Sequence, residues 1–173
     1  MPNDSLIGLV GLVVAICSIV LTVALRFYDY RKQGSQRRID RIGNALRKLS
    51  PKLLDAKVRH EMRPEDELMS EQLVIGFHSA VEQICKMFRE EIMSKGLYVD
   101  MKKESPAIFD KLTELCVRQN NMDSTYLRKS CTEPKNKNLY YDELRRNVFK
   151  DTEIKRLIEE LVPMVDEWLA KHP

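Results

Sequence analysis

Glycine and proline are scarce, six and seven among 173 residues, and no tract of low complexity or internal repeat is present. Both shortages count against disorder and against an all-β architecture, which needs turn residues at short intervals. Histidine is scarcer still. His60, His78 and His172 stand far apart, and none has a Glu or His at the spacing of a helix-borne metal motif. No arginine stands four to six residues before a histidine, so the usual signature of helical RNases is missing. GxxxxGK[ST] and GxGxxG are absent, and a chain poor in strand-forming stretches is a bad host for either phosphate cradle. No serine or cysteine sits in a recognisable nucleophile signature. These absences point away from an enzyme and from any bound cofactor or metal.

Paired cysteines are also missing. Cys17, Cys85, Cys116 and Cys131 form no CxxC motif and no even ladder, which fits reduced thiols in a reducing compartment better than a disulfide framework.

What the chain has is apolar and charged residues, at 43% and 32%, enough for one globular domain with appendages. The formal net charge of +3 hides an asymmetry: residues 1–60 hold 11 Lys/Arg against 4 Asp/Glu, whereas residues 61–173 hold 18 against 22. The basic part adjoins a hydrophobic segment. An anionic bilayer surface is therefore preferred to nucleic acid as its partner, since an acidic domain is repelled by phosphates.

Residues 6–25, LIGLVGLVVAICSIVLTVAL, carry no charge. As a helix at ~1.5 Å per residue they span about 30 Å, the thickness of the bilayer hydrocarbon. A cleaved signal peptide would have a basic n-region, a shorter apolar run and a small-residue cleavage site. Here MPNDS has no Lys or Arg, and bulky, basic RFYDYRKQ follows the run. An uncleaved single-pass transmembrane anchor is expected. Basic residues resist translocation, so Arg26, Arg31, Lys32, Arg37, Arg38 and Arg41 place the C-terminal side in the cytoplasm and the short N-terminus outside. Phe27, Tyr28 and Tyr30 fall where an aromatic belt meets the headgroups. The bacterial inner membrane is preferred to the mitochondrial outer membrane, whose anchors carry a similar basic flank. Within the run, Gly8, Gly11, Ala15, Ser18 and Thr22 recur along one helical face, which would let a second transmembrane helix approach closely and gain packing.

Residues 34–61 read as basic amphipathic juxtamembrane helices. Ser35 would cap the first, Ile39, Ile42, Leu46 and Leu49 form its stripe, and Ser50-Pro51 interrupts it; there, as at Ser105-Pro106, a capping hydroxyl stands before a proline that suits the first position of a new helix. The stripe could pack on the domain, pair with another copy, or lie on lipid. Residues 62–173 read as a helical bundle, giving four or five helices in the soluble part. The expected helices run from Pro64 to Lys95, with Val74, Phe77, Val81, Ile84, Phe88 and Ile92 on one stripe and Gly96 as stop; from Pro106 to Gln119; from Leu139 to Phe149; and from Thr152 to Ala170, kinked at Pro163. Leu97-Tyr98-Val99 hints at extended structure, and residues 120–138 read as a polar loop. Arg128, Lys129, Lys135 and Lys137, with Tyr126 nearby, would be solvated charges on it. The acids Glu61, Glu65, Asp66, Glu67 and Glu71 complement a helix start.

The leading expectation is a membrane-tethered, non-enzymatic interaction module, self-associating through its transmembrane face or binding a protein partner through the bundle. The alternative is an oligomeric membrane effector or pore regulated by that bundle. An enzyme comes third and would need a pocket joining His78 to perturbed carboxylates.

Overall fold

The computed structural model describes residues 3–62 and 67–173, with side chains described for residues 18–62 and 70–173. Every regular element among them is helical, as the stripe pattern requires. In chain order these are α1 (Asn3–Glu61), α2 (Glu67–Met87) running on into a π-helical turn (Phe88–Met93), α3 (Tyr98–Glu104), α4 (Pro106–Thr132), a 3-10 turn (Pro134–Asn136), α5 (Lys137–Lys150) and α6 (Thr152–Lys171). The chain divides into two compact units, Met1–Ile39 and Asp40–Pro173.

In the first unit, the large apolar side chains from Ile19 to Leu25 are more than half exposed. Among the described residues no helix is long and apolar enough to cross a membrane. Most of the expected span, residues 6–17, lies outside the residues whose side chains are described. The transmembrane part of the expected fold therefore gains no support here, and only the all-helical class stands.

The second unit is a helical bundle. Residues 40–61 of α1 bury Ile42, Ala45, Leu46, Leu49, Leu53 and Ala56, spaced to line one face. Of the three readings of this stripe, packing into the bundle holds. Phe77 of α2, fully buried, meets the Phe149 ring of α5 edge-on at 5.5 Å and the His60 ring at 6.1 Å. Helix α4 lies against α2, α3, α5 and α6. Helix α6 buries Ile154, Leu157, Leu161, Val165 and Trp168 as expected, together with Ile158 and Val162.

Several boundaries differ from expectation. Ser35 is inside α1 rather than at its start, and Pro51 is inside it too. The stripe continues on the same face across Pro51, and burying Leu53 and Ala56 outweighs the one lost backbone hydrogen bond. The Ser50 hydroxyl bonds Asp166 of α6 at 3.2 Å instead of capping a helix. Ser105-Pro106 does begin α4, but the Ser105 hydroxyl donates back to the Met101 carbonyl at 3.2 Å and caps nothing. The proline-and-acid start expected at Pro64 to Asp66 lies outside the described residues, and α2 is described from Glu67.

Leu97, Tyr98 and Val99 are not extended. Leu97 and Met101 are buried one helical turn apart, as a short helix requires. Gly96 does end the preceding helix, with φ +69°, and hydrogen bonds from Leu97 N–H to the Ile92 carbonyl (2.9 Å) and from Gly96 N–H to that of Met93 (3.2 Å) close it. The largest departure is the polar stretch 120–138. Helix α4 runs on to Thr132 because Gln119 and Tyr126 extend its buried face, while Thr125 and Thr132 bond carbonyls one turn back. Helix α6 runs through Pro163, which is exposed.

Candidate functional site

The continuation of α4 creates a site that a loop could not. Between α2, α4 and α5 lies a cavity of about 370 Å³, lined by Glu82, Asp123, Tyr126, Leu127, Tyr140, Tyr141 and Leu144, among others. Helical spacing explains the lining. Asp123 and Tyr126 are three residues apart on α4, as are Tyr141 and Leu144 on α5, so each pair faces the same way.

Behind this wall stands a buried polar layer. His78, 1% exposed, points its Nδ1 toward Glu82 Oε2 at 3.6 Å and meets the Tyr141 ring edge-on at 5.8 Å. Its Nε2 has no hydrogen-bond partner among the described residues. Gln119, also 1% exposed, donates from Nε2 to Asp123 Oδ1 at 2.9 Å, and its Oε1 likewise has none. The Tyr126 hydroxyl accepts a hydrogen bond from Asn147 and donates to Glu143 Oε1 at 3.4 Å.

Burial sets the electrostatics. It holds the His78 imidazole below its ordinary pKa; Asp123 opposes this and Arg145 adds to it. It raises the Glu82 carboxyl, which Arg145 partly offsets. It also raises Asp123, where the charge of Glu82 adds to the effect and His78, the Gln119 hydrogen bond and Arg89 oppose it. Removing a carboxylate from water favours its neutral form unless a cation answers it. Among the described residues neither Glu82 nor Asp123 has a lysine or arginine within ion-pair distance. The nearby cations make their direct contacts elsewhere: Lys129 with Glu143 at 3.6 Å, Arg145 with Asp142 at 3.2 Å and Arg89 with Asn120 Oδ1 at 3.1 Å.

Chemically the groove offers two anionic acceptors of raised basicity, three phenol rings and apolar walls. Among the described residues no group of three metal-ligating side chains comes together. Deeper in, Cys85 and Cys116 are both buried, and the hydrogen bond between them, with burial, pushes the Cys85 thiol upward. A thiol so placed is a poor nucleophile.

The residues singled out in the sequence lie elsewhere. Gly8, Gly11 and Ala15 are outside the described side chains. Ser18 and Thr22 are on α1, where the Thr22 hydroxyl donates to the Ser18 carbonyl at 2.7 Å. Phe27, Tyr28 and Tyr30 are exposed, with the Arg31 guanidinium 4.8 Å from the Phe27 ring centroid. Arg26, Lys32 and Arg37 are exposed and Arg38 is half-buried. Arg41, in the second unit, donates to the Lys95 carbonyl at 3.2 Å, which holds it on the bundle. The cations expected on a loop are dispersed. Arg128 and Lys129 ride on α4, with the Lys129 ammonium 5.2 Å from the Tyr126 ring and 6.0 Å from that of Tyr140, Lys135 is in the 3-10 turn, and Lys137 reaches the groove.

Sequence reasoning missed Glu82, Asp123, Gln119, Tyr140 and Tyr141. One signal was available: three of the six tyrosines fall within residues 126–141, in a stretch otherwise polar. No family model, curated protein or solved structure matches the chain.

Proposed function

We propose that the chain is a membrane-tethered, non-enzymatic helical interaction module. Residues 6–25 would anchor it, and the bundle of Asp40–Pro173 would present its binding surface on the cytoplasmic side. The reading is carried by the charge-free run, which Arg26, Arg31, Lys32, Arg37 and Arg38 follow and no basic residue precedes. Two features of the described part suit lipid. The side chains from Ile19 to Leu25 are exposed and apolar, and Thr22, the polar residue among them, spends its hydroxyl on its own helix. The anionic headgroups of the membrane, a second copy, or a protein partner of the bundle would be its contacts, with the bacterial inner membrane as the preferred address.

The test is extraction. After an alkaline carbonate wash of membranes, the full chain is expected to stay in the pellet and a chain beginning at Ser35 to be released. Release of the full chain would remove the anchor and the reading with it.

An enzymatic role is the subordinate proposal, supported by the raised carboxyls of Glu82 and Asp123. It is weakened by the position of His78, which stands behind the groove wall rather than in its lining.

A further inference from the structure

Glu82, which is exposed, and Asp123, which is half-buried, line the α2–α4–α5 groove, and among the described residues neither has a lysine or arginine within ion-pair distance. Each has a buried polar neighbour. Gln119 donates to Asp123 at 2.9 Å, and His78 stands 3.6 Å from Glu82. Neither partner supplies charge, since Gln119 is an amide and burial favours the neutral imidazole of His78. The nearby cations make their direct contacts elsewhere, Lys129 with Glu143, Arg145 with Asp142 and Arg89 with the Asn120 side chain. Lys137, the one basic residue in the lining, is exposed and answers neither carboxylate within ion-pair distance.

The rings point to the same charge. The Lys129 ammonium lies 5.2 Å from the Tyr126 ring centroid, and the Arg145 guanidinium 4.2 Å from that of Tyr141. Phenol faces attract cations through their quadrupole, and these two rings, which also line the groove, each have a side-chain cation near them. The remaining walls, Leu127 and Leu144, are apolar, and about 370 Å³ falls in the range of small-molecule sites.

We propose that this groove binds a small primary-ammonium compound with an apolar body, its ammonium on Glu82 and Asp123 and its body against Tyr126, Tyr141 and Leu144. A bare metal ion fits less well, because among the described residues no third ligating side chain joins the two carboxylates. An anion would meet both carboxylates at close range. A neutral apolar compound would strip water from them and return nothing. A primary ammonium supplies N–H donors to both acids, and a flat apolar body fills the space between rings and leucines. The site lies wholly within the Asp40–Pro173 unit, so it stands or falls independently of the membrane anchor.

The test is calorimetric titration of the full chain in a non-ionic detergent, above neutral pH, with phenethylammonium chloride, phenethyl alcohol and phenylacetate. Phenethylammonium is expected to bind saturably, at least about tenfold more tightly than the alcohol, and phenylacetate not to bind. Glu82→Gln and Asp123→Asn, each checked for helical content by circular dichroism, should weaken the ammonium about tenfold or more. Affinity should also fall as pH is lowered through the raised range of the two carboxyls. Equal binding of the alcohol, binding of phenylacetate, no saturable binding of the ammonium, or indifference to both substitutions would overturn the proposal. The ligand series on the unsubstituted chain decides it even if a variant fails to fold.

Discussion

Asp151 sits between α5 and α6 and accepts hydrogen bonds from the N–H groups of Glu153 and Ile154, both at 2.9 Å, while the Arg118 guanidinium holds the same carboxylate at 2.9 Å. Burial alone would raise its pKa, but Arg118 and the two N–H groups outweigh that and hold it below the ordinary value. Because the folded carboxyl is the stronger acid, protonation favours the unfolded chain. This stabilisation is complete above the ordinary aspartate range and is lost as pH falls through the depressed folded value. Asp151→Ala is expected to cost about 1–2 kcal/mol near neutral pH, and Asp151→Asn less, since an amide can still cap. In urea melts repeated at falling pH, the difference between Asp151→Ala and the parent should shrink; a constant difference would refute this account. Asp151 was not among the helix-start signals expected from the sequence, although an acid directly ahead of a helical run is a local one. Its partner Arg118 had no such signal, because no local pattern relates residues on α4 to the start of α6. The same limit hid the cavity that Glu82 and Asp123 share.

At the scale of elements, α1 shows how burial overrides local punctuation. Ser50-Pro51 has the look of a helix start, and Pro inside a helix costs about 3 kcal/mol. Yet Ile42, Leu46, Leu49 and Leu53 are all fully buried on one continuous face, and each such side chain contributes about 1.5–3 kcal/mol. Continuity therefore wins. Leu49→Ala is expected to cost about 2–5 kcal/mol, whereas Leu54→Ala, at a position 52% exposed, should change stability by less than about 0.5 kcal/mol. Denaturant midpoints for the two variants check this, and equal effects would mean that the stripe is not in the core. Helix α4 illustrates the converse error. Its second half carries few apolar residues and reads as a loop, but Gln119 and Tyr126 keep the inward face and turn the stretch into one wall of the groove. A polar residue on a buried face is invisible to a pattern built on hydrophobicity.

For the whole molecule, the relevant quantity is how many copies associate and through which part. The small residues Gly8, Gly11, Ala15, Ser18 and Thr22 would bring anchors together, and a pore would need more copies than a dimer does. Light scattering of the full chain in detergent, with the detergent contribution subtracted, is expected to give a dimer, and a chain beginning at Ser35 a monomer. A discrete higher ring for the full chain would favour the oligomeric effector, and two monomers would turn the search to a partner of the bundle. What the sequence by itself determined is the helical class, the inward stripes of α2 and α6, the stop at Gly96 and the lopsided charge beside an uncharged run. Each of these rests on residues within a few turns of one another, where spacing and backbone preference decide. Only the tertiary structure decided that α1 passes through Pro51, that α4 extends to Thr132, and that Glu82, Asp123 and three tyrosines share one cavity. Those outcomes depend on side chains far apart in the chain, whose energies exist only once the helices have met.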